Sequence, residues 1–101
     1  MHKEVTTRGE FDSAVKNGNV LVDFWATWCG PCMIMGEKIE KELVPAMPDL
    51  QIVKVNVDEA PELAAAFGVM SIPTLLCFVN GSKRAEFIGV TKIKDIQESF
   101  G

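Results

Sequence analysis

Residues 20–32 read Val20-Leu21-Val22-Asp23-Phe24-Trp25-Ala26-Thr27-Trp28-Cys29-Gly30-Pro31-Cys32, an apolar run that ends in two cysteines three positions apart. The stretch from Asn19 to Ala26 is almost wholly apolar, and Asp23 is its single charge. Runs of this kind suit strands covered on both faces, as in a sheet with helices on either side. Immediately after it the pattern changes to helical spacing, with Met35, Ile39, Leu43 and Met47 stepping by four down one face and Glu37, Lys38, Lys41 and Glu42 on the other. A buried strand that delivers a cysteine pair to the start of a helix is therefore the nucleus of the fold.

Working outward, the same alternation continues. Gln51 to Val57 and Thr74 to Val79 are further strand-like runs, and Asn80-Gly81 is a strong hairpin signal leading into Arg84 to Ile88. Helical segments are expected at Glu10 to Lys16, with Thr7 and Glu10 in capping-box spacing, and at Pro61 to Phe67, ended by Gly68. A last helix is expected at Thr91 to Phe100, where Ile93, Ile96 and Phe100 share a face. The expected fold is α/β, in the order β-α-β-α-β-α-β-β-α. Parallel strands come from the early crossovers and an antiparallel edge from the late hairpin.

With 101 residues the chain is expected to form a single domain, 1–101. Hydrophobic residues at 48% are enough for a core, and a net charge of −4 argues against nucleic acid, which selects for clustered Lys and Arg. No apolar run approaches the length of a membrane span. Residues 1–18 lack the apolar core of a signal peptide, so a cytoplasmic location is expected. Three cysteines is an odd count, unlike a disulfide-stapled secreted mini-protein.

At the start of a helix, Cys29 and Cys32 have side chains close enough for a disulfide to open and close with small adjustments. Unpaired backbone N–H groups and the helix dipole favour the Cys29 thiolate, which is the nucleophilic form. Pro31 is tolerated in a first turn, and Gly30 removes bulk beside the sulfur. A zinc half-site or two inert core cysteines are the rival accounts, but for zinc only Cys77 and His2 remain as further thiol or imidazole ligands, with no second CxxC or CxxH, and the helix-start context argues against inert thiols. No metal is expected, and redox chemistry is the better account of the pair. Cys77, within Leu75-Leu76-Cys77-Phe78, reads as a small buried hydrophobe, and His2 as a disordered terminal residue.

Val22 through Cys32 resembles the active-site segment of the thioredoxin family almost residue for residue. Val55-Asn56-Val57-Asp58, Phe67-Gly68-Val69 and Ser71-Ile72-Pro73-Thr74-Leu75 match the family's remaining signatures in order, as do Phe78 to Gly81 and Gly89. The resemblance implies the thioredoxin fold, a central mixed five-stranded sheet with a four-stranded core, flanked by four helices. It also implies that Cys29 is an exposed nucleophile, that Cys32 resolves the mixed disulfide, and that Asp23 accepts the proton from Cys32. Lys54 falls where the family keeps a lysine near that aspartate. Pro73 would be cis, and Trp28, Met70, Ile72, Pro73 and Gly89 would form the target-binding rim.

The implied activity is reduction of protein disulfides by a monomer. It would need no cofactor of its own, NADPH electrons arriving through a thioredoxin reductase. A dedicated oxidase, isomerase or single-partner reductase of the same fold is the alternative, and a non-catalytic binding module a third. Two positions depart from the family's commonest pattern. Gly36 stands where a kinking proline is usual, which leaves the helix geometry open, and Met33 stands where a lysine is frequent.

Overall fold

The computed structural model describes residues 2–101. Its elements are β1 (His2–Glu4), α1 (Arg8–Val15), β2 (Asn19–Trp25), α2 (30–46), β3 (Gln51–Asn56), α3 (Pro61–Ala66), β4 (Thr74–Val79), β5 (Ser82–Ile88) and α4 (Ile93–Ser99). They form one sheet in the order β1-β3-β2-β4-β5. The strands β1, β3 and β2 run parallel, and β4 and β5 are antiparallel additions. The expected α/β architecture and element order are thus observed. One correction falls at the N-terminus: His2 is not disordered but opens β1 and pairs with Glu40 of α2. The polar composition of this edge strand hid it from hydrophobic patterning.

The sheet sorts its side chains by alternation along the strands. Val20, Val22 and Phe24 of β2 face one way, with Val53, Val55, Leu76 and Phe78, and bury Phe11 and Val15 of α1 and Leu63 of α3. Leu21 faces the other way, with Ile52, Leu75 and Cys77, against Met35, Ile39 and Leu43 of α2 and Ile93 and Ile96 of α4. Asp23 has the same parity as Leu21 and so lies on the α2 face. Each large apolar side chain fully buried in these layers contributes about 1.5–3 kcal/mol.

Local chemistry sets the boundaries. Thr7 caps α1 in a reciprocal capping box with Glu10, whose carboxyl is held below its usual range by the backbone N–H groups of Thr6 and Thr7. Asn80 (φ 49°) and Gly81 (φ 86°) make the two-residue turn between β4 and β5, both in the left-handed region that this turn demands. Asn80 also accepts the Gly18 N–H at 2.8 Å through its side chain.

Helix α2 is not uniform. It is α-helical over Gly30–Lys38, widens into a π turn over Ile39–Leu43 and closes with Val44–Ala46. The irregularity falls after Gly36, not at it, and immediately before Pro45. Proline has no N–H for the carbonyl four residues back and its ring crowds that carbonyl, so a widened turn relieves the clash. A second effect acts in the same direction. Side chains four apart drift by about 40° per step on an ideal α-helix, and a wider turn reduces that drift. Met35, Ile39 and Leu43 consequently all reach the sheet.

Candidate active site

Strand β2 ends at Trp25, and a turn closed by Cys29 N–H to Ala26 O (3.2 Å) swings the chain onto the start of α2. Cys29 is the N-cap of that helix. Its Sγ accepts the Cys32 N–H at 3.1 Å, and its carbonyl accepts the Met33 N–H at 3.2 Å. Pro31 lies in the first turn, where its missing N–H leaves nothing unpaired. Cys29 and Cys32 are joined as a disulfide, with Cα atoms 5.2 Å apart.

Around the pair, Ala26, Trp25, Val57 and Ile72 form an apolar nest. Cys29 Sγ lies 3.8 Å from the carbonyl oxygen of Ile72, and the Ile72–Pro73 peptide bond is cis. The nest corrects one expectation. Cys29 is not an exposed residue: only 5% of its surface is open, because its sulfur packs on Cys32 and against these apolar neighbours. Exposure belongs instead to the rim. Trp28 is 69% and Met70 97% accessible, and Gly89 lies in a turn of positive φ (85°) whose N–H donates to Pro73 O at 2.8 Å.

Beneath the pair lies Asp23, which is buried and whose Oδ1 has no hydrogen-bond partner. Burial in apolar surroundings penalises the carboxylate and pushes its pKa up to about 6, against a smaller opposing pull from the Lys54 ammonium. Lys54 sits beside Asp23 in the parallel register of β2 and β3, and its Nζ lies over the Trp25 ring at 4.5 Å from the centroid. A cavity of about 330 Å³ opens here, lined by Asp23, Trp25, Cys32, Gly36 and Lys54 among others. Gly36 leaves room in it, since a Cβ there would meet nothing within 4 Å.

Every residue singled out from the sequence as a site residue thus lies at the carboxyl end of the central strands, in three groups. The redox group is Cys29, Gly30, Pro31 and Cys32, the ionisable group below it is Asp23 and Lys54, and the rim is Trp28, Met70, Ile72 and Gly89; Pro73, expected on the rim, is itself buried. Cys77 stands apart, fully buried beside Leu21 and nearer the other end of the strands, with its thiol pKa raised by burial. Two participants escaped sequence reasoning. Asp58 accepts the Trp28 Nε1–H at 2.7 Å and fixes that ring, and Trp25 supplies the face that holds Lys54. No pattern along the chain pairs Trp28 with a residue 30 positions on. Trp25 could have been flagged as an indole at the end of a buried run.

The thioredoxin family profile matches residues 2–100. A thioredoxin of Staphylococcus aureus is 41% identical over 92 residues, spanning 91% of this chain and 88% of its own length. Among solved structures, mitochondrial thioredoxin 3 of Saccharomyces cerevisiae in its oxidised form superposes with a TM-score of 0.86 at 33% identity, covering 97% of this chain and 92% of that one. Plasmodium falciparum thioredoxin gives 0.82 at 35% identity, covering 96% and 95%. With the fold, the sequence profile and the cysteine pair in agreement, the chain belongs to the thioredoxin family and is a thiol–disulfide oxidoreductase whose redox pair is Cys29–Cys32.

Proposed function

We propose that this chain reduces disulfides in target proteins, with Cys29 as the attacking and Cys32 as the resolving thiol. The Cys29 thiolate attacks one sulfur of a target disulfide, forming a mixed disulfide and releasing the other target sulfur as a thiolate, which takes up a proton. Cys32 then loses its proton and attacks Cys29 Sγ. The mixed disulfide breaks, the second target thiol leaves, and the Cys29–Cys32 disulfide remains. Two electrons and two protons pass to the target in one cycle.

The observation that carries this assignment of roles is the hydrogen bond from Cys32 N–H to Cys29 Sγ at the helix N-cap. A backbone donor at a helix start stabilises a thiolate on Cys29 and none on Cys32. Asp23, buried under the pair with a pKa near 6, suits a proton acceptor for Cys32 at neutral pH. Lys54 tunes that carboxylate, and the rim of Trp28, Met70, Ile72, Pro73 and Gly89 seats an extended target segment.

Targets are disulfide-containing proteins. The oxidised pair is returned to the dithiol by a thioredoxin reductase drawing on NADPH, in the cytoplasm, with the chain acting as a monomer and holding no metal or cofactor of its own. The family match over almost the whole chain supports this reductase partnership. Insulin reduction driven by dithiothreitol tests the roles: wild type should be active and Cys29→Ser inactive, and reduced Cys32→Ser mixed with insulin without dithiothreitol should accumulate a mixed disulfide detectable by mass. An active Cys29→Ser variant, or no trapped adduct with Cys32→Ser, would overturn the assignment. Equilibrating the pair with glutathione separates a reductase from an oxidase, since a reductase pair stays oxidised until glutathione is in large excess.

A further inference from the structure

The pairing of β5 with β4 ends at Ile88 opposite Thr74, so residues 89–91 have no sheet ladder to hold them. Four contacts do so instead. Gly89 N–H donates to Pro73 O at 2.8 Å, tying this turn to the segment that carries Ile72. Thr91 Oγ1 donates to Gly89 O at 3.0 Å and closes the turn on itself. Both backbone groups of Thr91 are then taken up by α2: its N–H meets Met35 Sδ at 3.3 Å, and its carbonyl accepts from Lys38 Nζ at 3.2 Å.

The turn is therefore a bridge. One end is fastened beside the Ile72 carbonyl, which lies against Cys29 Sγ, and the other to the helix whose first turn carries Cys32. The Lys38 contact is its one charge-assisted bond, between a half-buried ammonium and a part-buried carbonyl, and such bonds exceed neutral ones in strength. Lys38 touches none of the reacting sulfurs, and its side-chain hydrogen bond is to this turn.

We propose that Lys38 is a positioning residue for target recognition, its ammonium fixing the 89–91 turn against α2 so that an extended target segment can lie across Ile72 and Gly89. This rests on the reading of Ile72 and Gly89 as the target seat. A folded or extended polypeptide needs that seat, whereas a small disulfide reaches Cys29 without it. Loss of the ammonium then weakens protein targets selectively and leaves the thiol chemistry intact.

Lys38→Met keeps the apolar stem and removes the ammonium, and Lys38→Arg keeps a cation able to donate to the Thr91 carbonyl. With dithiothreitol as reductant, Lys38→Met should raise KM for insulin about three- to tenfold, the worth of one such hydrogen bond, with little change in kcat. Its rate with the small aryl disulfide dithiobis(nitrobenzoic acid) should match wild type, and Lys38→Arg should recover most of the KM. An unmoved KM, or equal slowing on both substrates, overturns the inference. A wild type that fails to reduce insulin at all overturns the functional proposal, and this inference with it. An active wild type with an unmoved KM in Lys38→Met overturns this inference alone.

Discussion

Replacing Asp23 by asparagine should make the oxidised protein more stable, and by an amount that depends on pH. In the native state burial lifts this carboxyl from 3.8 to about 6, while in the unfolded chain it titrates normally. The folded form therefore holds its proton more tightly, and stability falls as pH rises through the window from about 4 to about 6. A rise of about two units at 1.36 kcal/mol per unit amounts to about 3 kcal/mol lost by pH 8, when Asp23 must be ionised in the interior. The asparagine side chain has nearly the same shape and no charge to bury. The variant's gain over wild type should be about 2–3 kcal/mol larger at pH 8 than at pH 4. Comparing the two pH values cancels any difference in packing or in amide hydrogen bonding, because those effects do not titrate. Guanidinium unfolding followed by circular dichroism reads it as a midpoint raised by roughly 1 M at pH 8. A difference between variant and wild type of the same size at both pH values would refute the elevated pKa, and with it the claim that buried charge is the cause.

Met33, 46% exposed beside the redox pair, leaves out the positive charge that lysine would place there. Met33→Lys should lower the Cys29 pKa, read from thiolate absorbance in the reduced protein, and an unchanged or higher value would count against an electrostatic role for this position. Cys77→Ser should cost about 1–3 kcal/mol in urea unfolding, because it places a hydroxyl in a fully buried site where the Ser99 hydroxyl is its one polar neighbour, while Cys77→Ala should leave the rate of insulin reduction unchanged. Loss of activity in the alanine variant would show that the third cysteine does more than fill space.

Most of the fold was legible because its elements announce themselves over short distances. The run around Asp23, the capping box at Thr7 and the Asn80-Gly81 turn are each decided by neighbours in sequence, and each element lies where that chemistry puts it. The expected order opens with a strand, but the residues of β1 were not legible, since all three are exposed and polar and owe their strand form to pairing with β3. The π turn in α2 was hidden for a different reason. Gly36 drew attention as the missing proline, yet the crowding that reshapes the helix comes from Pro45, nine positions on. Within the site, the closable pair and the favoured Cys29 thiolate followed from spacing and helix context, whereas the resolving role of Cys32 was implied by the family resemblance. The bond between Trp28 and Asp58, the stacking of Lys54 on Trp25 and the bridge from Lys38 to Thr91 arise from folding alone, since each joins residues that are unrelated along the chain.

The sheet has two open margins, and they bear on how this molecule behaves in a crowded solution. An unpaired strand is a template on which any extended polypeptide can continue the ladder. β1 offers only three residues for that. β5 is longer, but Lys83, Arg84 and Glu86 are exposed along it and its register with β4 breaks at Cys77/Phe78. Charged side chains and a broken register both discourage backbone pairing. A protein with Trp28 and Met70 bare carries a standing risk of sticking to other chains, and to its own copies. Blunted margins leave the surface beside the disulfide as the face for such encounters, and on the proposed function each contact there ends when the sulfur exchange does.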